Sequence, residues 1–340
     1  MLSHDIINFA LDAKEQGSTW PEIADLIRTT YGIEIKSVSG LRSRISEYRR
    51  YAKYDPVSGV TDSLPASETW GEGLAQLVKP ATKEQFETVI FVSDIHAPYH
   101  NAVLLASLRD FIKDFDPHRI VINGDTNDFF QLSRWNRTGD RLETLQNEID
   151  MGRDIRGMFR NAAPNAVIDE TLGNHDERII TYIDLNAGGL KSLAALKPGK
   201  LLGLEEYEIN HHPRCGFRLR EEFVVEHGHI ARSEAGASAK SRLDKTMISG
   251  IMGHTHRLAE YNRTGYRNLS WYEMGCLCLK SPDYVVGETN WQPGFAVGHF
   301  STKNPSVFNI QLVKAIADGF IFDGKVYGNV DVESGAGVLV

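Results

Sequence analysis

The chain has 340 residues, of which 41% are hydrophobic and 24% are charged, and its formal net charge is −8. This composition is typical of a soluble globular protein of about two domains, and it excludes disordered and collagen-like chains. The acidic balance excludes a protein that coats nucleic acid over its whole surface. No run approaches the roughly 18 apolar residues of a membrane span, so we expect no membrane partner.

The N-terminal residues show no basic stretch followed by an apolar one, so we expect no secretory signal. The three cysteines, Cys215, Cys276 and Cys278, are too few for a disulfide framework. Both features predict a protein of the reducing cytoplasm.

Residues 1–53 are predicted to form three short helices. The second begins at Thr19, which can form a capping box with Glu22, and it carries Pro21 in its first turn. Tyr31-Gly32 then turns the chain into the third helix. The expected buried face of the second and third helices consists of Ile23, Leu26, Ile27, Val38, Leu41, Ile45 and Tyr48.

Residues 36–53 contain six basic residues against the single acid Glu47, a local charge of +5. A basic third helix after two short helices outlines a helix-turn-helix domain, so this segment predicts DNA as a partner. The alternatives are a helical bundle with a solvated basic face and a protein-docking module. The basic residues are Lys36, Arg42, Arg44, Arg49, Arg50 and Lys53.

Residues 54–87 are rich in turn-forming residues and are predicted to be a linker. From residue 88 onward, short apolar runs alternate with helical patterns, which predicts an α/β fold. Beyond residue 257 the sequence is β-rich. The predicted strands are 88–92, 119–122, 166–168, 223–225 and 247–252, and the predicted helices include 101–115 and 141–160.

Each of the five predicted strands is followed by residues that can bind a metal ion. Because the carboxyl ends of strands in an α/β sheet form sites, we expect these side chains to converge. One such strand end is more often a cap or a turn, but five in succession indicate a metal centre. A carboxylate between histidine-bearing loops can bridge two cations, and mixed oxygen and imidazole donors suit manganese, iron or zinc. The donors are Asp94, His96, Asp125, Asn174, His227, His254 and His256.

These motifs resemble those of the calcineurin-like metallophosphoesterases, here of a phage or bacterial type with an N-terminal helix-turn-helix-like domain. The resemblance covers roughly residues 88–280. It implies a four-layer α/β/β/α sandwich over residues 88–340, beside a small all-α N-terminal domain. The matching motifs are Asp94-Ile95-His96, Gly124-Asp125-Thr126-Asn127-Asp128, Gly173-Asn174-His175-Asp176, His227-Gly228 and Gly253-His254-Thr255-His256.

The resemblance also implies two divalent cations bridged by Asp125, and a bridging water that attacks phosphorus. We expect manganese first, with iron, zinc or nickel as alternatives. One cation would be held by Asp94, His96, Asp125 and His256, and the other by Asp125, Asn174, His227 and His254.

Four further residues are candidates near the metals. His175 matches the family's non-ligand histidine, which donates a proton to the leaving oxygen. Asp128 would support His175 or a metal-bound imidazole, with a turn carboxylate as the alternative. Arg178 would contact a substrate phosphate, unless it is a surface helix residue, and His229 would face the same cleft.

Other prominent residues have plainer interpretations. His211 and His212 are predicted to lie in a solvated loop. Cys276 and Cys278 alternate as in a strand and are predicted to be buried strand residues. Core packing is expected for the aromatic residues of the β-rich part, with a nucleobase platform as the alternative. These aromatic residues are Trp271, Trp291 and Phe295.

The metal-binding residues are shared by phosphatases, phosphodiesterases and nucleases, so they do not identify the substrate. A DNA-binding domain on a linker would raise the local concentration of DNA at the metals, which favours a phosphodiesterase or nuclease acting on DNA. The alternative is a phosphodiesterase or phosphatase of small nucleotides or phosphoproteins, with the N-terminal domain used for docking. A third hypothesis is a DNA-binding assembly or regulatory protein in which the esterase fold is structural.

Overall fold

The computed structural model describes residues 4–35, 37–42, 45, 85–133, 144–265, 267–280, 282 and 287–331. The chain divides into two compact units, residues 1–80 and 81–340. Among the described residues, no helix combines the length and the apolar character needed to cross a membrane. Most of the predicted linker and every basic residue of the 36–53 segment except Arg42 lie outside these ranges, so the DNA-binding role stays a prediction.

The smaller unit contains helix α1 (His4–Glu15) and helix α2 (Trp20–Tyr31), and residues 38–42 are also helical. The predicted start of α2 is observed, since the backbone N–H of Thr19 donates to Glu22 Oε2 at 2.6 Å. The buried residues that these elements share are Ile6, Ala10, Ala13, Ile23, Ile27, Leu41 and Ile45.

Two residues of the smaller unit do not lie where the sequence predicts. Leu26 and Val38 were expected inside, but they are 40% and 37% exposed. The described helices cover only the narrow stripe of α2 that contains Ile23 and Ile27, and Leu26 lies beside that stripe.

The first sheet of the larger unit has the strand order β11-β10-β1-β2-β3-β4. Strands β1 to β4 are parallel, and β10 pairs antiparallel with β1. Strand β1 begins at Phe86, before the predicted residue 88, because Phe86 and Glu87 pair with Ser301 and Phe300. The strands are β1 (Phe86–Val92), β2 (Arg119–Ile122), β3 (Val167–Thr171), β4 (Ile209–His212), β10 (Gly294–Ser301) and β11 (Phe308–Lys314).

The second sheet has the order β5-β6-β7-β9-β8, and a separate hairpin is formed by β12 and β13. Within this sheet β6 and β7 are parallel. The strands are β5 (Phe217–Arg220), β6 (Phe223–Glu226), β7 (Ser249–Met252), β8 (Leu258–Arg263), β9 (Leu269–Met274), β12 (Asp318–Phe322) and β13 (Lys325–Asn329).

Helices follow most of the parallel strands, so the predicted mixed α/β class is confirmed. The predicted helices 101–115 and 141–160 correspond to α3 and α4. The helices of the larger unit are α3 (Ala102–Phe115), α4 (Leu145–Ala162), α5 (Glu177–Asn186), α6 (Pro198–Leu201) and α7 (Ala237–Thr246).

Both faces of β1 are buried. Ile90 and Val92 belong to the core cluster that includes α3 and α4, whereas Val89 and Phe91 belong to the cluster shared with the second sheet. A strand covered on both faces needs apolar residues at every position, which explains its continuous apolar run. On the far side of the second sheet, Leu243 of α7 clusters with Trp271.

The prediction of a loop at His211 and His212 is wrong. Both residues lie in β4, which adds to β3 at the edge of the first sheet. His212 Nε2 lies 2.9 Å from Asp169 Oδ1, and its ring stacks on Phe217 at 4.0 Å. The polar sequence of an exposed edge strand hides its strand character, because only the pairing with β3 creates it.

Candidate metal centre

The loops that follow β1, β2, β3, β6 and β7 carry the seven predicted metal ligands. Backbone hydrogen bonds join the first two loops, from Asp94 N to Gly124 O at 3.0 Å and from His96 N to Asp125 O at 2.9 Å. The carboxyl ends of parallel strands lie at one edge of each sheet. The two edges meet where Asn123 Nδ2 donates to Glu226 O at 2.8 Å, which brings residues far apart in sequence together.

Five of the seven ligands have a left-handed backbone, which is unusual for residues other than glycine. Each such residue costs about 1–3 kcal/mol and persists only where the surrounding structure enforces it, most often at functional sites. These residues and their φ angles are Asp94 (54°), His96 (53°), Asp125 (53°), His254 (66°) and His256 (56°).

The first donor set consists of Asp94, His96 and His256, whose ligand atoms all lie within 4.8 Å of one another. His256 Nε2 is 3.1 Å from His96 Nε2 and 3.1 Å from Asp94 Oδ1. Asp94 Oδ1 is buried and accepts no hydrogen bond. An unpaired buried carboxylate oxygen is costly, and a cation at this point would offset that cost.

The second donor set consists of Asp125, His227 and His254, again within 4.8 Å of one another. His227 Nε2 lies 3.1 Å from Asp125 Oδ2 and 3.2 Å from the side-chain oxygen of Asn174. The structure therefore brings Asn174 to the same point. Carboxylate, amide and imidazole donors together fit a divalent transition metal.

Asp125 lies between the two sets. Its Oδ2 atom is 3.1 Å from His227 Nε2 and 3.8 Å from His96 Nε2, while Oδ1 accepts from His175 N at 2.8 Å. One carboxylate thus faces a histidine of each set, as a bridging ligand requires.

Two of the histidines are oriented through their other ring nitrogen. His227 Nδ1 lies 2.7 Å from Asn123 O, and His96 Nδ1 lies 3.0 Å from Asp128 Oδ1. When Nδ1 donates its proton to these oxygens, the Nε2 lone pair is directed toward the donor set. Asp128 therefore contacts the imidazole of a predicted metal ligand, which is one of the two roles expected for it.

The electrostatics are those of a site that attracts cations. Burial raises the pKa of Asp125, but the nearby charges of His227 and His175 outweigh burial and hold it well below its ordinary value. Burial lowers the pKa of His227, but Asp125 outweighs burial and raises it to about 9. Burial and the charge of His227 lower the pKa of His254 to about 4.

His175 stands beside both sets, and each of its ring nitrogens has a partner. Nδ1 lies 3.0 Å from Asp128 Oδ1 and 2.9 Å from Asp128 O, and Nε2 lies 3.1 Å from Arg178 Nη2. Arginine can only donate, so Nε2 accepts and Nδ1 carries the proton. Arg178 is half-buried and also donates to Asp128 O at 2.9 Å.

Two cavities adjoin the site. The larger, about 630 Å³, begins at Asn174 and follows one face of α5, with Arg178, Tyr182 and Arg214 in its walls. The smaller, about 350 Å³, is also lined by Arg214 and includes the exposed His229. Both cavities open beside the second donor set. Asn174 lines the larger cavity, and Gly228, which follows His227, lines the smaller one.

Sequence reasoning missed Glu273, which is fully buried in β9. Its carboxylate accepts from Thr255 Oγ1 at 3.0 Å and from Ala239 N at 2.9 Å. It thereby ties the 253–256 loop to the start of α7. A charged residue within a strand rich in apolar and aromatic residues was the signal that could have identified it.

The glycines of the motifs leave room for the ligands. A Cβ atom on Gly173 would lie 2.0 Å from Asp125 Oδ1, and one on Gly253 would lie 2.0 Å from Ser93 Oγ. Neither distance is compatible with a side chain, so both positions require glycine for close approach.

Cys276 and Cys278 are buried as predicted, but they do not lie in a strand. Gly275, with φ at 81°, ends β9 just before them. Cys278 Sγ lies 3.8 Å from His256 Nδ1. A hydrogen bond from Cys276 and burial raise the pKa of the Cys278 thiol well above its ordinary value.

The three aromatic residues have different surroundings. Trp271 and Phe295 are fully buried in core clusters, in agreement with core packing. Trp291 is half-buried instead, and its ring meets the His256 ring edge-on at 4.2 Å. Only the tertiary structure reveals that Trp291 adjoins a predicted ligand.

No protein-family model and no curated protein matches the chain. One similar solved structure is wild-type Vps29 complexed with Zn²⁺ from Entamoeba histolytica, with 14% identity, TM-score 0.37, and coverage of 71% of this chain and 97% of that one. Another is YfcE, a phosphoesterase from E. coli, with 13% identity, TM-score 0.33, and coverage of 66% and 98%. TM-scores this low assign neither a family nor a function to the chain.

Proposed function

We propose that this chain is a divalent-metal-dependent phosphodiesterase or nuclease, and that its substrate is DNA. The observation that carries the proposal is the position of Asp125 Oδ2, 3.1 Å from His227 Nε2 and 3.8 Å from His96 Nε2. Two cations held there supply Lewis acidity and an acidified water, which is the chemistry that phosphoester hydrolysis requires. Manganese is the first choice for these cations. The packing of α3, both sheets and α7 supports a four-layer sandwich for the larger unit.

The residues that would hold the two cations are the two donor sets described above. The fit is supported by the buried Asp94 Oδ1, which accepts no hydrogen bond, and by the two Nε2 atoms of His96 and His256 that face each other. One cation would be held by Asp94, His96, Asp125 and His256, and the other by Asp125, Asn174, His227 and His254.

His175 and Arg178 act on the substrate. A phosphoryl oxygen is a stronger acceptor for the Arg178 guanidinium than a neutral imidazole nitrogen, because that hydrogen bond joins two charged groups. Substrate binding therefore releases His175 Nε2, which takes up a proton from solvent and then donates it to the leaving oxygen. The Asp128 carboxylate, 3.0 Å from Nδ1, stabilises the imidazolium.

Two features support DNA rather than a small ester. The 36–53 segment has a local charge of +5, and its described basic residue, Arg42, is exposed. The larger cavity continues along α5 with Arg178 and Arg214 in its walls, which suits a substrate with more than one phosphate. The alternative remains a small-nucleotide or phosphoprotein esterase whose N-terminal domain is used for docking.

One comparison of substrates tests the proposal. Protein freed of metal with EDTA and then given Mn²⁺ is offered bis-p-nitrophenyl phosphate, p-nitrophenyl phosphate, cyclic nucleotides, and linear or nicked DNA. Cleavage of the diester and of DNA is expected. Preference for the monoester or for cyclic nucleotides with DNA left intact would favour the alternative. Tight DNA binding without any turnover would favour a regulatory protein.

A further inference from the structure

The two nitrogens of His256 face different groups. Nε2 faces the candidate metal centre, 3.1 Å from Asp94 Oδ1 and 3.1 Å from His96 Nε2. Nδ1 faces away from it, and Cys278 Sγ lies 3.8 Å from that atom. The imidazole thus separates the metal centre from a pair of cysteines that the proposed reaction does not use.

The cysteine pair and His256 form a compact, buried donor set. The ligand atoms of Cys276, Cys278 and His256 all lie within 4.8 Å of one another, and the residues are 0%, 1% and 7% exposed. Their loop is held on both sides, by Leu277 N donating to Asp94 O at 3.1 Å and by Gly294 N donating to Cys276 O at 2.9 Å. The two thiols therefore lie close together before any metal ion binds.

We propose that Cys276, Cys278 and Nδ1 of His256 form a second metal site, which takes a thiophilic divalent cation such as Cd²⁺ or Zn²⁺. Two thiolates and an imidazole are typical ligands of tetrahedral zinc. With bonds of about 2.3 Å to sulfur and 2.0 Å to nitrogen, a tetrahedral site places these two atoms about 3.5 Å apart. The observed 3.8 Å requires only a small adjustment. Each thiol releases its proton when it coordinates.

This site differs in selectivity from the candidate metal centre. Its sulfur atoms favour soft cations, whereas the carboxylate and amide oxygens of the other site suit Mn²⁺. A thiophilic cation is therefore expected to bind beside the cysteines in the presence of excess Mn²⁺, and His256 then leaves the candidate metal centre for the cysteine site.

Occupancy of the cysteine site changes what His256 offers to the metal centre. A neutral imidazole has one lone pair for coordination, because its other nitrogen carries the proton. If Nδ1 binds the thiophilic cation, Nε2 keeps the proton and has no lone pair for the candidate metal centre, although it lies 3.1 Å from Asp94 Oδ1. The first donor set then loses one ligand, so the thiophilic cation acts as an inhibitor. This inhibitory effect rests on the proposed function, but the existence of the site does not.

The experiment uses the full-length, reduced protein, saturated with Mn²⁺ and titrated with Cd²⁺. Ultraviolet absorbance detects charge transfer from thiolate to cadmium, which binding to oxygen and imidazole alone does not produce. A band that saturates at one equivalent is expected for the wild type. It is expected to lose most of its intensity in Cys276→Ser and in Cys278→Ser, and to keep its intensity in Cys215→Ser, which removes the exposed third cysteine.

Cadmium NMR of the wild type also tests whether sulfur binds the cation, because sulfur ligands shift the cadmium resonance strongly. This measurement needs no substitution that could disturb folding. Absence of a sulfur-shifted signal would overturn the proposal, as would a charge-transfer band that keeps its full intensity in Cys278→Ser or is lost in Cys215→Ser.

The inhibitory effect has its own measurement. Cd²⁺ should lower the Mn²⁺-supported cleavage of bis-p-nitrophenyl phosphate in the wild type, and this inhibition should be lost in Cys276→Ser. A wild type that shows the cadmium band but no phosphodiesterase activity with any cation would support the cysteine site and overturn the proposed function. Inhibition that is equal in Cys276→Ser and wild type would overturn the inhibitory effect.

Discussion

His96 Nε2 lies 3.1 Å from His256 Nε2, and both imidazoles are buried. The Nδ1 atoms of these rings already have partners, Asp128 Oδ1 at 3.0 Å and Cys278 Sγ at 3.8 Å. Two lone pairs at this distance would repel each other, so a proton or a cation must lie between the two nitrogens. The pair is thus arranged for a shared ion.

Metal binding should release protons near neutral pH. Burial lowers the pKa of His227, but Asp125 outweighs burial and raises it to about 9, so His227 is protonated at pH 7 in the metal-free protein. The cation must displace this proton, and metal affinity should rise with pH until about 9. Calorimetry in buffers with different ionisation enthalpies measures the release. Metal binding without proton release at pH 7 would contradict the assignment of His227.

The same histidine makes the stability of the metal-free protein depend on pH. Because its folded pKa of about 9 exceeds the ordinary 6.5, its contribution is complete below pH 6.5 and is lost as pH rises through 9. His254 acts in the opposite direction, since its folded pKa of about 4 is below 6.5. Its contribution is present above pH 6.5 and is lost as pH falls through 4.

Asp125→Asn should weaken both donor sets together. The substitution removes the negative charge that faces His96 and His227, so the shared ligand holds both cations more weakly. Metal analysis of the purified variant is expected to show loss of both ions, with loss of activity on bis-p-nitrophenyl phosphate. Two ions per chain and near-normal activity in the variant would show that Asp125 is not the bridge.

His175→Ala should separate catalysis from metal binding. We expect metal content to persist while turnover falls by about 10²–10⁴-fold, the range for a lost general acid. The loss should be smaller for a p-nitrophenolate leaving group, which needs little protonation. An equal loss for all leaving groups would indicate a positioning role instead, and loss of metal would make His175 a ligand.

Gly173→Ala should disrupt the metal centre through Asp125. The new Cβ would lie 2.0 Å from Asp125 Oδ1 and 2.3 Å from Asp125 N, so the carboxylate must move. We expect loss of bound metal and destabilisation of about 1–3 kcal/mol, as for other overpacked sites. Gly189→Ala is the matched control, because no atom lies within 4 Å of its added Cβ. Normal metal content in Gly173→Ala would contradict the observed close approach.

The N-terminal domain should matter for DNA and not for small diesters. If Arg42, Arg44, Arg49 and Arg50 contact phosphates, each contact removed should reduce the slope of log affinity against log salt by about 0.9. Deleting residues 1–53, or reversing these charges, should impair cleavage of long DNA at about 0.1–0.2 M salt. Hydrolysis of bis-p-nitrophenyl phosphate should continue, since every predicted metal ligand lies beyond residue 88.

Two outcomes would contradict this role. A truncated protein that cuts DNA as well as the full chain, with the same salt slope, would favour a small substrate. Loss of both activities would indicate that the N-terminal helices support the fold of the larger unit.

Local sequence determined the elements that depend on neighbouring residues. The capping box at Thr19 forms through a contact three residues away, and the apolar run of β1 predicts burial on both faces. The polar residues after the predicted strands were sufficient to predict that these side chains lie close together, because parallel strands align their carboxyl ends. Asp94 and Asp125 could therefore be placed together from sequence alone.

The tertiary structure decided whatever depends on contacts between distant segments. Strand β10 pairs with β1 across more than 200 residues, and His212 became a strand residue only through its pairing with β3. The approach of Cys278 to His256 depends on the contact between the loop after β9 and the loop after β7. Such contacts are selected by the free energy of the whole fold, which no local pattern of residues encodes.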